Sequence, residues 1–364
     1  MVAAGRVART AARVTGALGA IACLGLAPSC RPDLDQIISI VDKPIVLAVR
    51  SDPAEAAPTI AVKYTALYVD GAGPIMNGNL RWDFCEARKP LADLGPVNTE
   101  CLDTSGSWFV PLGSGADVSG AIPPDACKLF GPDVPPPVPG QPQGRPVDPD
   151  ATGGYYDPLR IFAPDSPTPI TIEETRLTCG AGVIPADTGV EYEHRYHANT
   201  NPIVASLSVA GGSTGAKKTA PFVTSDKGTN PVAAGARLTF EVAWSSCPTA
   251  ADVCGDGFCG PDETATACPA DCATPLGCTG AERFVVFDVG SQALVDQRES
   301  IAVAWYATAG AFDADRTGRD AADFATLSDN GWTAPAAAGP VHLWVVLRDI
   351  RGGIGWAEYV LDVQ

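Results

Sequence analysis

Leu80, Trp82 and Phe84 alternate with Arg81, Asp83 and Cys85. That period of two constrains the fold most, because an extended strand with one buried face spaces apolar side chains in this way and a helix does not. The alternation returns in Leu238-Thr239-Phe240-Glu241-Val242-Ala243-Trp244 and again at Ile301, Val303 and Trp305. The runs PIVLAVR, TIAVKYTALYVDG, YYDPLRIF, ITIEETRLTC, IVASLSV, FVVFDV, VHLWVVLRD and WAEYVLDV supply further strands. Turn signals such as DGAGP and NGN separate the first of them, so the beginning of the chain reads as an antiparallel meander. Gly (38) and Pro (33) together make up close to a fifth of the 364 residues, and charged residues only 18%. This balance favours strands and turns over long helices.

A chain of this length has room for two hydrophobic cores. The expected division is 1–29 leader, 30–202 first domain and 203–364 second domain. A loop at 131–150 is too rich in proline and glycine to hold a ladder, and a Cys-rich insertion occupies 247–278. The segment EYEHRYHANTNP at 191–202 holds two of the three histidines. It has no HExxH and no nearby cysteine, and it reads as a polar surface stretch closing the first domain. A strand carrying a core tryptophan is similar to strand C of immunoglobulin-like sandwiches. The ending LWVVLRDIRGGIGWAEYVLDV resembles the terminal hairpin of PKD and other bacterial Ig-like domains, with Ile350-Arg351-Gly352-Gly353 as the turn. The fold expected is all-β: two Ig-like antiparallel β-sandwiches, the second with a disulfide-rich loop insertion.

Arg6, Arg9 and Arg13 precede VTGALGAIACLGLA, an apolar run too short to span a bilayer and typical of an export signal. Leu26-Ala27-Pro28-Ser29-Cys30 resembles the bacterial lipobox, which implies diacylation of Cys30 as the mature N-terminus. Plain signal cleavage and secretion is the alternative. Processing at Cys23 would leave Cys30 as an odd thiol. Arg31 follows Cys30 where aspartate would signal retention, so resemblance to lipoprotein sorting rules points to the outer membrane or cell surface of a Gram-negative bacterium. Losing the three leader arginines takes the formal charge from −17 to −20. Such a surface repels phosphate backbones and anionic headgroups, which argues against nucleic-acid binding and a polybasic membrane patch.

Ten cysteines remain after Cys23 and Cys30. Cys85, Cys101, Cys127 and Cys179 form an even set in the first domain. Cys247, Cys254, Cys259, Cys268, Cys272 and Cys278 form another in the second. The core of the second set has the spacing C-x4-C-x8-C-x3-C, with no C-x-x-C and no histidine nearby, so neither a redox pair nor a zinc ribbon is supported. In an exported chain disulfides are the expectation, and six cysteines allow fifteen pairings. The stretch CGDGFCGPDETATACPADC resembles a short Cys-rich repeat, C-G-D-G-x-C-x-x-x-E-x-x-x-x-C-x-x-D-C, of predicted myxobacterial surface proteins. It is also similar in style to calcium-stabilised Notch-type repeats. Two readings stay open: a metal-free knot holding a surface protrusion in shape, and a calcium site using Asp256, Asp262, Glu263 and Asp271.

Gly211-Gly212-Ser213-Thr214-Gly215 matches G-x-S-x-G, with His342 downstream. No helical period follows it and no βαβ alternation precedes it, as a serine hydrolase elbow at Ser213 would need. Asp313-Ala314-Asp315-Arg316-Thr317-Gly318 fails EF-hand spacing and reads as an exposed loop. Tyr155, Tyr156, Tyr192 and Tyr196 would stack on sugars if exposed. The functional expectation is a non-enzymatic, lipid-anchored binding or structural module whose partner is an unknown surface protein, with a carbohydrate-binding adhesin as the alternative.

Overall fold

The structure is a computed structural model. It describes residues 38–364 apart from 90–96, 138, 141–142, 181, 183, 211–220, 249–253, 256–257, 261–262 and 274–276. The leader, Cys30 and Ser213 lie outside the described residues.

The first sandwich is built from nine strands. One sheet runs β1 (Ile45–Asp52), β3 (Ala61–Asp70), β4 (Gly73–Pro74), with β7 (Asp117–Ala121) also on β3. The facing sheet runs β2 (Glu55–Ala56), β9 (Ile170–Leu177), β8 (Tyr155–Phe162), β5 (Arg81–Cys85), β6 (Phe109–Ser114). Trp82 and Phe84 on β5 point inward onto Tyr64, Leu159 and Ile161. The Trp82 indole N–H donates to the Gly115 carbonyl at 2.8 Å. The meander expected at the beginning of the chain is corrected here, because β3 and β5 lie in opposite sheets. Their inward faces need each other for burial, and pairing them side by side would leave both half-solvated.

The second sandwich pairs β10 (Val204–Val209), β12 (Arg237–Trp244), β18 (Leu327–Thr333) and β16 (Ala311–Phe312) in one sheet. The other runs β11 (Thr229–Val232), β20 (Ile354–Val363), β19 (Gly339–Asp349), β15 (Ile301–Ala307), β17 (Arg316–Arg319). Phe240 stacks on Trp332 at 5.5 Å and on Trp305 at 6.4 Å in the core between them. Both sandwiches follow one plan. The leading strand is antiparallel to the second strand in one sheet, and its continuation crosses over to run parallel to the last strand in the other. β1 and β2 do this against β3 and β9, and β10 and β11 against β12 and β20. This is the immunoglobulin arrangement, with A, B and E facing C′, C, F and G. FVVFDV, expected as a sandwich strand, forms β13 (Arg283–Asp288), which pairs with β14 (Ala293–Arg298) in a separate hairpin.

A third apolar cluster joins the two. Leu47, Ala48, Leu67 and Val69, on the outer face of β1 and β3, meet Ala304, Tyr306, Trp344, Val346 and Ile354 on β15, β19 and β20. The four sheets therefore stack as layers. The two middle sheets are buried on both faces, which is why Leu343 to Leu347 are all fully buried. Short helices α1 (Ala126–Leu129), α2 (Ala186–Arg195) and α3 (Pro269–Cys272) occupy the connections.

Five disulfides pair Cys85 with Cys101, Cys127 with Cys179, Cys247 with Cys278, Cys254 with Cys268, and Cys259 with Cys272. No helix among the described residues is long and apolar enough to cross a membrane.

Candidate functional site: a buried ionic cluster at the joint

Glu55 and Arg176 are cross-strand partners on β2 and β9, and both side chains are buried. Arg176 donates through Nε to Glu55 Oε2 at 3.0 Å, and through Nη1 to Thr152 Oγ1 at 2.7 Å and to the Tyr156 hydroxyl at 2.8 Å. From the second sandwich, Arg351 enters from the turn between β19 and β20. It donates to Glu282 Oε1 at 3.0 Å, to Glu55 Oε2 at 3.3 Å and to the His197 carbonyl at 2.9 Å. Glu299 lies 3.8 Å from the same guanidinium. The turn owes its shape to Asp349, whose Oδ1 accepts from the backbone N–H groups of Arg351 and Gly353, both at 2.8 Å. The Phe284 ring, on β13, lies 4.9 Å from the Arg351 guanidinium carbon.

These groups close around the chain that connects the two sandwiches. The Tyr196 hydroxyl bonds Glu55 Oε1, and the Asn199 amide donates to Glu55 Oε2 at 2.9 Å. Asn199 Nδ2 donates to Asp349 at 3.3 Å, and the Thr200 amide to Glu282 at 3.2 Å. Asn201 donates to the Ser51 carbonyl at 2.6 Å and accepts from the Ile354 amide at 2.8 Å. The Ile203 amide donates to the Thr279 carbonyl at 3.0 Å. The stretch expected to be a polar surface segment is thus partly α2 and partly a buried strap. Tyr192, Arg195, His197 and Asn199 are all buried. Glu191, Glu193 and His194 stay exposed, whereas the buried polar side chains face inward onto partners such as Asp296, the Arg283 carbonyl and Asp349. Arg195, at the end of α2, pairs with Glu191 at 3.0 Å and with Asp296 of the β13–β14 hairpin.

Two arginines face four carboxylates, and burial pushes three of them, Glu282, Glu299 and Asp349, toward their neutral form. Desolvation raises Glu282 to about 7 against the pull of Arg351, raises Glu299 well above its ordinary range, and raises Asp349. Glu173, on β9, is also raised to about 7 by burial. A carboxyl raised in the fold holds its proton more tightly than in the unfolded chain. Its stabilising contribution is complete at acid pH and is lost as pH climbs through the raised value. His197 runs the other way. Burial, then Arg351, lowers it from 6.5, so it stabilises the fold less as pH falls below that point. Four carboxyls outweigh one imidazole. The unfolding midpoint is expected to be lower at pH 8 than at pH 5.5, by on the order of 1–3 kcal/mol of stability. Thermal unfolding by tryptophan fluorescence at the two pH values measures it, and a midpoint that is flat or higher at pH 8 would show these carboxyls ionised in the fold.

The residues singled out from sequence fall elsewhere. Asp256 and Asp262 lie outside the described residues. Asp271 is buried, and its Oδ2 accepts from the Gly255 amide at 2.5 Å. Glu263 Oε2 accepts from the Gly260 amide at 2.9 Å. Both carboxylates are therefore bonded to the knot's own backbone. Tyr155 and Tyr192 are buried, and Tyr156 and Tyr196 are half-buried with hydroxyls committed to Asp150 and Glu55, so these four do not form the open aromatic face that sugar stacking needs. His342, on β19, faces Glu358 at 2.9 Å across the ladder to β20. Asp313 pairs with Arg237. A cavity of about 230 Å³ opens on the outer side of β8 and β9, walled by Phe130, Tyr155 and Pro158 with Arg88, Asp148 and Glu174.

No protein-family model matches the chain, and no curated protein matches it. Among solved structures it is similar to fibronectin(III)-like modules of Clostridium thermocellum CbhA, with 9% identity over 87% of this chain and 94% of that one and a TM-score of 0.19. It is similar to the Yersinia pseudotuberculosis adhesin InvE, with 10% identity over 86% and 58% of the two chains and a TM-score of 0.19. A third is the human OSCAR ligand-binding domain, at 10% identity over 89% and 100% and a TM-score of 0.19. Likeness at this level carries no argument about activity, and the fold assignment rests on the strand order described above.

Proposed function

We propose that this protein is exported and lipid-anchored at the outer membrane or cell surface, and that its two sandwiches work there as one rigid, non-catalytic binding or spacing module. The observation that carries this reading is the strap from Tyr196 to Ile203, which is bonded from both sandwiches. Tandem modules joined by a free linker move relative to each other by default, and a linker held in this way removes that freedom. The five disulfides suit an oxidising compartment. The lipobox-like sequence at Cys30 supports the anchor, and calcium at the knot remains a proposal resting on the repeat's resemblance.

The anchor is tested by feeding cells an alkyne fatty acid. The wild-type protein is expected to take up label and fractionate with the outer membrane, and Cys30→Ser to lose both. Label retained in Cys30→Ser, or a wild type that is unlabelled, sinks the lipid anchor. Small-angle scattering of the soluble chain from residue 38 onward tests rigidity separately, since a rigid pair gives one compact profile. A pull-down from the cell envelope identifies the partner.

A further inference from the structure

Phe258, the variable residue of the CGDGFC stretch, is 3% exposed, although it sits in a loop rich in Gly and Pro whose described residues form no sheet. Its ring meets His197 edge-on at 6.3 Å, and the Arg283 guanidinium lies 4.8 Å from its centroid. His197 is in turn held through Nε2 to the Arg283 carbonyl at 2.8 Å. Phe258 therefore docks on the strap between the sandwiches at the His197 ring, while Arg351 bonds the His197 carbonyl. The base of the knot does the same. Cys278 donates its amide to Glu282 at 2.7 Å, Gly280 bridges Ser245, and Thr279 receives the Ile203 amide. The protrusion expected from sequence is thus folded back on its own chain.

We propose that the Cys-rich knot is an internal clamp whose ligand is the joint of its own protein, with Phe258 as the plug that keeps water from the strap and the ion cluster beneath it. Charges in such a cluster attract strongly only where water is excluded. A segment with so little apolar content cannot present a fixed aromatic ring without cross-links. Cys254–Cys268 and Cys259–Cys272 bracket Phe258 and hold its loop in place of a core. This inference rests on the rigid-module reading and assigns its cause.

The test uses the disulfide-intact chain from residue 38 onward with Phe258→Ala, and independently with Cys259→Ser/Cys272→Ser. Hydrogen exchange at Asn199, Thr200 and Ile203 is expected to quicken at least tenfold in both variants, and trypsin to cut after Arg195, where the wild type resists. Amides of β3, β8, β12 and β19 should keep wild-type protection, and tryptophan emission should stay blue-shifted. Phe258→Leu, which keeps an apolar plug, should fall between. Wild-type exchange and trypsin resistance in the two loosening variants overturns the clamp. So does loosening spread evenly over both sandwiches, including global unfolding, because the knot would then be a general stabiliser. A wild type already open at Asn199 to Ile203 overturns the rigid-module reading instead, which keeps the two failures distinct.

Discussion

Arg351→Ala is expected to lower the stability of the whole chain by about 3–5 kcal/mol, the cost typical of removing one partner from a buried charge pair. The side chain is 1% exposed and reaches Glu55, Glu282 and Glu299 from a single turn. Without it Glu55 keeps Arg176, while Glu282 and Glu299 lose their guanidinium partner. Protonation can replace it in part, since carboxyls already raised by burial rise further when a cation leaves. The loss should therefore be larger at pH 8 than at pH 5.5. Chemical unfolding of wild type and variant at both pH values measures this, and a loss below about 1 kcal/mol at pH 8 would mean that the cluster contributes no more than an exposed ion pair does. Arg351→Met, which keeps the stem over Phe284 and loses the charge, separates packing from electrostatics.

Removing the bridge between Cys127 and Cys179 should be the next most damaging change. It ties α1 to the end of β9 and closes a loop with a sequence separation of 52. Chain entropy for a loop of that length corresponds to about 4 kcal/mol, against about 3 for the loop of Cys85–Cys101. Much of the enclosed chain is the proline-rich stretch 131–150, whose described residues form no ladder. Cys127→Ser/Cys179→Ser is expected to lower the urea midpoint more than Cys85→Ser/Cys101→Ser, and to make 131–150 the first site of proteolysis. The reverse order would show that the shorter bridge, whose cysteines are both fully buried, acts through packing more than through loop length.

The strands were readable because one-sided burial leaves a mark at every second residue, as at Trp82 and Phe84 or Phe240 and Val242. The stacking of the sandwiches left a subtler mark in the same runs. Val46 to Val49 and Leu343 to Leu347 lose the alternation, and loss of alternation is what burial on both faces produces. FVVFDV looked like a core strand for a related reason. Phe284, Val285 and Val286 are buried, with Phe284 set against Arg351 rather than between two sheets. The ion cluster left no mark of this kind. Glu55, Arg176, Glu282, Glu299 and Arg351 come from five separate segments, and each taken singly looks like an ordinary surface charge. Only the three-dimensional meeting of those segments makes them a site. The polar look of EYEHRYHANTNP misled in part for the same reason: Arg195, Tyr196, His197 and Asn199 are satisfied by partners far away in sequence, while Glu191, Glu193 and His194 are exposed.

The first described stretch of the chain does not lie on the sandwich that follows it. Ile40 bridges Ala307 on β15, the Val41 amide donates to the Ala307 carbonyl at 2.9 Å, and the Ala307 amide donates to Ser39 at 2.8 Å. A force applied at the N-terminal end would therefore enter the second sandwich through these hydrogen bonds as well as the first through β1. It would load them side by side, in shear, and the strap at the joint would carry little tension. Such a protein would resist being drawn out in series, one sandwich after the other.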